Sequence, residues 1–144
     1  MILHAGLIAR RCGGIWRGVL IQGPSGAGKS DLALRALAEG CALVADDQTV
    51  IFMSGGRLFG RAPDALRGLI EIRGLGVQRQ QALPFAPISL SVHCKTTPDL
   101  AERMPDVVTE CFLGFETPRL DIWPFENSAP AKIGRAIEHL GARP

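Results

Sequence analysis

Residues 23–30 read GPSGAGKS, and residues 43–47 read LVADD. The first stretch matches the pattern G-x-x-x-x-G-K-[ST] in full, with Gly23, Gly28, Lys29 and Ser30 at the defining positions. Its chemistry is phosphate binding. Gly23, Pro24, Ser25, Gly26, Ala27 and Gly28 form a loop whose glycines let the backbone curl, so that N–H groups turn inward toward phosphate oxygens. A helix starting behind the loop adds its positive end. Lys29 supplies a point charge for the outer phosphates, and Ser30 offers a hydroxyl to Mg²⁺. Asp46 and Asp47 bring acid groups. Neighbours on an extended chain point to opposite sides, so one carboxylate can face the phosphates while the other holds Mg²⁺ through water or orients a neighbour. A like-charged pair also raises the proton affinity of at least one member, which suits an acid/base group. A metal-holding aspartate with no proton role, or a solvated turn, fits the same residues.

These groups need a strand before the loop and a helix after it. GVLIQ, residues 18–22, is a short apolar run ending at a glycine, the pattern of a buried strand. KSDLALRALAE, residues 29–39, is rich in helix formers. It predicts a helix with Ala33, Leu34 and Leu37 on one face and Gly40 as its stop. CALVA, residues 41–45, predicts the next strand, lying beside the loop strand with the acid pair at its carboxyl end, where α/β sheets bind ligands. Upstream, ILHAGLIA predicts a strand that pairs as a hairpin through the Gly-Gly of RRCGGIWR. TVIFM and RLFG flank SGG as a second hairpin. GLIEIRG predicts a strand with Glu71 and Arg73 on one face. PISLSVH predicts another, with Ile88, Leu90 and Val92 on one side. A helix over 132–140 carries the apolar stripe Ile133, Ile137, Leu140. The expected fold is α/β: a phosphate-loop domain with a mixed, strand-rich sheet and few helices.

Composition narrows the classes. The 144 residues are 47% apolar and 21% charged, with net charge +2, enough for one domain with a core. Scattered Lys and Arg, with 6% aromatics and no Tyr, argue against a nucleic-acid surface. Cys12, Cys41, Cys94 and Cys111 lack zinc spacing and read as small buried apolar residues in a reducing compartment. Neither a signal peptide nor a membrane span is recognisable, so the expected location is the cytoplasm. Trp16 and Trp123 read as core or interface anchors. His4, on an apolar strand, ordinarily reads as a packing residue, and Glu71 with Arg73 as a surface ion pair.

The sequence EIRGLGV, residues 71–77, resembles the signature of the HPr kinase/phosphorylase family. GPSGAGKSD resembles that family's phosphate loop, LVADD its acid pair, LHA at Leu3–Ala5 its upstream histidine motif, and PAKIGR at Pro130–Arg135 its P-V-K-x-G-R stretch. The motifs run in the family's order along essentially the whole chain. The resemblance implies a kinase core like that of phosphoenolpyruvate carboxykinase. It further implies ATP-dependent phosphorylation of a serine on the phosphocarrier HPr, and the reverse reaction with inorganic phosphate. By the same resemblance Lys29 contacts the phosphates, and Ser30 and Glu71 hold Mg²⁺. Asp47 exchanges the serine proton, Asp46 supports it, and His4 lies near the target serine. Arg103, in AERMP, matches a catalytic arginine, and Lys132 and Arg135 belong to a loop tied to dephosphorylation. A single catalytic domain over 1–144 without an N-terminal regulatory domain is expected, as in short proteobacterial forms with a regulatory role, and the family assembles as hexamers. Two other classes fit the phosphate loop alone: a small-molecule kinase, which ordinarily carries an arginine-rich lid, and a nucleotide-binding regulatory module that does not catalyse.

Overall fold

The structure, a computed structural model, describes residues 1–98 and 108–140. Its elements are β1 (Ile2–Leu3), β2 (Gly6–Cys12), β3 (Ile15–Gln22), α1 (Lys29–Ala38), β4 (Ala42–Ala45), β5 (Thr49–Ser54), β6 (Arg57–Arg61), β7 (Leu69–Ile72), β8 (Gly76–Arg79), β9 (Ala86–Cys94), β10 (Val108–Phe112), β11 (Phe115–Ile122) and α2 (Ala129–His139), with a 3₁₀ turn at Asp64–Leu66. The strands join in a mixed sheet of order β1-β5-β6-β9-β3-β2-β4, extended by β11 on β9 and β10 on β11. β7 and β8 form a separate hairpin. The fold is strand-rich with few helices, as the residue patterns lead one to expect.

Local signals account for much of it. β2 and β3 pair antiparallel, and the chain reverses through Gly13 and Gly14, both at positive φ (59° and 82°). This is the turn geometry that matches strand twist. α1 ends in a Schellman arrangement: Gly40 donates to the Leu37 carbonyl and Cys41 to the Ala36 carbonyl.

The sheet separates two cores. One lies under the helices and joins Ile8, Val19, Ile21, Leu32, Leu90, Val92, Ile122, Ile133 and Ile137. The other lies on the opposite side and joins Leu7, Leu20, Val44, Ile51, Leu58, Ile88 and Phe112. β9 belongs to both halves. Its start pairs antiparallel with β6, and its later residues run parallel to β3 and β11.

Several expectations need correction. β4 does not lie beside β3; it pairs with β2, and β2 stands between them. The stretch 2–9 is not one strand. It breaks at His4–Ala5, where the chain passes from β5 to β3 as partner and the Thr49 hydroxyl donates to the Ala5 carbonyl at 2.8 Å. Ile88 does not share a side with Leu90 and Val92. The β3–β9 register shifts between Gly18 and Val19, sending Ile88 into the second core. Gly18 permits that shift, since a Cβ there would stand 2.4 Å from the Pro87 carbonyl oxygen. The buried face of α1 is Leu32, Ala33 and Ala36, with Leu37 partly buried against the core, and Leu34 lies off it. Arg73 falls in the β7–β8 turn rather than on the strand. α2 begins at Ala129, earlier than expected, because Pro130 is well suited to a first helical turn. Among the cysteines only Cys94 is buried, and Cys111 is exposed; all are free thiols. No helix among the described residues is long and apolar enough to cross a membrane.

Candidate active site

The loop between β3 and α1 curls through positive φ at Gly23, Gly26 and Gly28 (152°, 81° and 99°). Gly28 is the N-cap of α1 and contributes no side-chain cap, so the first amides of the helix are left for another acceptor. Lys29 folds over the loop: its Nζ donates to the Gly23 carbonyl at 2.6 Å and the Pro24 carbonyl at 3.0 Å. The cation is thus held where an anion cradled by the loop would meet it.

The acid pair is divided by its backbone. Asp46 Oδ1 accepts the Ser30 hydroxyl at 2.9 Å, and Asp46 Oδ2 accepts the Glu71 backbone N–H at 2.9 Å. One carboxylate therefore ties the phosphate loop to the β7–β8 hairpin. Asp47 has φ 69°, and Gln48 N–H bonds the Asp46 carbonyl across it at 2.8 Å, a γ-turn of the strained, positive-φ kind. The turn sends the Asp47 side chain to His4, with Nδ1 and Oδ1 3.4 Å apart and both side chains more than half exposed. His4 reaches this point because its own chain crosses there between strand partners. The Ser30 hydroxyl is a hard oxygen donor suited to Mg²⁺, and the Asp46 carboxylate stands bonded behind it. The Glu71 side chain is exposed on the same hairpin.

The expected site residues are placed as follows. Lys29, Ser30, Asp46, Asp47, His4 and the Glu71 backbone form one continuous patch. Lys132 and Arg135 are not in a loop: both are exposed on α2, whose buried stripe of Ile133 and Ile137 holds the segment helical. Lys132 pairs with Glu126 at 2.7 Å, and that residue sits in the turn packed on the phosphate loop. Arg103 lies outside the described residues.

Two features escaped the sequence reading. Arg35, on α1, bonds Asp31 at 3.0 Å, the Glu126 carbonyl at 3.2 Å and the Pro124 carbonyl. Its spacing from Asp31 was readable, but its reach across the chain was not. Behind the loop, Gln22, Ser91 and His93 converge on Glu110 Oε1 at 3.1, 2.8 and 2.7 Å. Burial pushes the Glu110 carboxyl up, but the bonds from His93 and Ser91, the His93 charge and the Gln22 bond together outweigh it, so the group ends below its ordinary range. Ser91 and His93 alternating with apolar residues in β9 were the available signal. Beneath the loop, burial pushes the Cys94 thiol up to about 11 against the pull of Lys29 and Arg35, leaving it inert.

A phosphate-type loop on a mixed sheet, with a hydroxyl–carboxylate pair beside it, defines the class of phosphate-loop domains. Comparison with known proteins narrows this. The HPr Serine kinase C-terminal domain family matches residues 13–83. The HPr kinase/phosphorylase of Mycoplasmopsis pulmonis is 45% identical over 134 residues, covering 85% of this chain and 41% of that protein. That of Limosilactobacillus reuteri (strain DSM 20016) is 38% identical over 131 residues, covering 83% of this chain and 39% of that protein. Among solved structures, the Hpr(Ser) kinase/phosphatase from Coxiella burnetii superposes with TM-score 0.79 at 26% identity, covering 96% of this chain and 88% of that one. The chain belongs to the HPr kinase/phosphorylase family. It spans about two fifths of the length of these curated relatives.

Proposed function

We propose that this chain is the catalytic domain of an ATP-dependent protein serine kinase acting on an HPr-type phosphocarrier, and that it also runs the reverse, phosphorolytic reaction. The observation that carries this reading is the division of labour at the acid pair: Asp46 is committed to Ser30 and the Glu71 amide, while Asp47 is turned outward to His4.

Phosphoryl transfer needs positioning and charge neutralisation more than covalent help. Lys29 and the loop amides hold the nucleotide's phosphates. Ser30 and Glu71, with Asp46 behind Ser30, would hold Mg²⁺, which when bound neutralises phosphate charge. Asp47 takes the proton of the acceptor serine hydroxyl as that oxygen bonds to the terminal phosphorus and ADP leaves. His4 orients the Asp47 carboxylate and lies beside the acceptor. In reverse, inorganic phosphate occupies the loop and its oxygen attacks the phosphoserine phosphorus. The serine oxygen leaves with the proton from Asp47, and pyrophosphate is the product. Lys132, Arg135 and Arg103 are assigned to this chemistry by resemblance alone, as is the hexamer.

The test is incubation with ATP, Mg²⁺ and purified HPr, followed by detection of phosphoserine, for the wild type and Asp47→Asn. Asparagine tolerates positive φ, so the variant keeps the turn. We expect transfer in both directions by the wild type, a loss of about 100-fold or more in the variant, and unchanged ATP affinity. Full activity of Asp47→Asn removes the assignment. Phosphate transfer to a free metabolite indicates a small-molecule kinase, and binding without transfer a regulatory module.

A further inference from the structure

The parallel strands β3, β9 and β11 end level with one another: Gln22 stands opposite His93, and Ile122 opposite Cys94. Ligands of α/β sheets sit beyond such ends. Among the segments that leave the sheet there are the phosphate loop from β3 and the turn Trp123–Glu126 from β11. Arg35 locks them together through the carbonyls of Pro124 and Glu126. The Phe125 ring lies on Gly28, with Cζ 2.8 Å and Pro124 Cγ 3.3 Å from where a Cβ would stand. Trp123 meets Phe125 edge to face at 6.2 Å between centroids. Despite these restraints Phe125 is 52% exposed. An aromatic ring is therefore fixed at the lip of the phosphate loop and left about half exposed to solvent.

The remaining geometry assigns direction. Asp46, Asp47 and His4 flank the loop on the β2–β4 side, whereas the aromatic turn flanks it on the β9–β11 side. A nucleotide whose terminal phosphate faces the acid pair extends its other end toward the turn. Glu126, the acidic side chain of that turn, is engaged by Lys132.

We infer that Phe125, backed by Pro124 and Trp123, is the stacking platform for the base of the bound nucleotide. The inference rests on the nucleotide-dependent function proposed above and adds where the base lies. Base–aromatic stacking tolerates any base, because every base has a π-face.

The experiment titrates the full chain with Mg·ATP and with Mg·tripolyphosphate, which carries the same phosphate chain without a nucleoside. The wild type should prefer ATP about tenfold. Phe125→Ala should abolish that preference and leave tripolyphosphate affinity unchanged, which also reports an intact loop. Phe125→Leu, which keeps an apolar group on Gly28 but no ring, should lose most of the preference, and Phe125→Trp should keep it. The inference is overturned if the wild type binds both ligands equally, or if Phe125→Ala and Phe125→Leu weaken both ligands alike or neither. Tripolyphosphate binding that survives those outcomes leaves the phosphate site standing. Binding of neither ligand by the wild type overturns both readings.

Discussion

Asp46 offers the sharpest separation of architecture from chemistry. Its carboxylate accepts two hydrogen bonds, each at 2.9 Å, from Ser30 and from the Glu71 amide. Bonds to a charged group are worth about 1.5–3 kcal/mol each. Asp46 is half-buried and Glu71 exposed, which puts each bond at or below the lower end. Asp46→Ala should then cost about 2–3 kcal/mol, and lower the melting temperature by roughly 6–10 °C in a domain of this size. Asp46→Asn can still accept the Glu71 N–H through its oxygen while its amide donates to the Ser30 hydroxyl. Only the charge is lost, so its stability should fall by about 1 kcal/mol or less. Its Mg²⁺ requirement for phosphoryl transfer should nonetheless rise about 10- to 100-fold. Thermal unfolding followed by circular dichroism, and a Mg²⁺ titration of activity, read the two effects. Wild-type melting of Asp46→Ala would refute the structural tie. A wild-type metal titration of Asp46→Asn would refute the electrostatic one.

Lys29→Ala should weaken ATP and tripolyphosphate equally, by about tenfold or more, in isothermal titration, because the lost charge meets the phosphates and not the base; a loss confined to ATP contradicts that placement. Glu110 titrates below its ordinary range in the folded protein. Its contribution to stability is therefore complete above the unfolded value near 4.5 and lost as pH falls through the lower folded value. Urea midpoints of wild type and Glu110→Gln should differ most near neutral pH and converge on acidification, and a constant gap across that range would count against the cluster's charge.

The elements that were legible in the residues are those set by neighbours in sequence. The phosphate loop, the Gly40 stop of α1 and the Gly13–Gly14 and Gly55–Gly56 hairpins depend on local φ preferences and short-range bonds. The order of strands does not. That β2 intervenes between β3 and β4 is a matter of pairing between separate segments, which no local signal encodes. The departure of Ile88 from its alternation came from a register shift, which period-two counting cannot anticipate. The acid pair was readable as a pair, but its division depended on the φ of Asp47 and on the Glu71 amide arriving from another hairpin. Phe125 carried no local signal, because its position is set by Arg35 from across the molecule.

β9 carries a cost that appears only when the chain is made. The β2–β3 hairpin, the phosphate loop and α1 are complete well before residue 86 is synthesised, yet β3 has no parallel partner until β9 arrives. Until then β3 presents an open edge, and Val19 and Ile21 lack the Leu90 and Val92 that stand beside them in the folded protein. Long-range parallel pairing of this kind folds slowly and leaves apolar edges exposed to association. A nascent chain halted before residue 86 would carry every group of the phosphate loop and still lack the strand that shelters it.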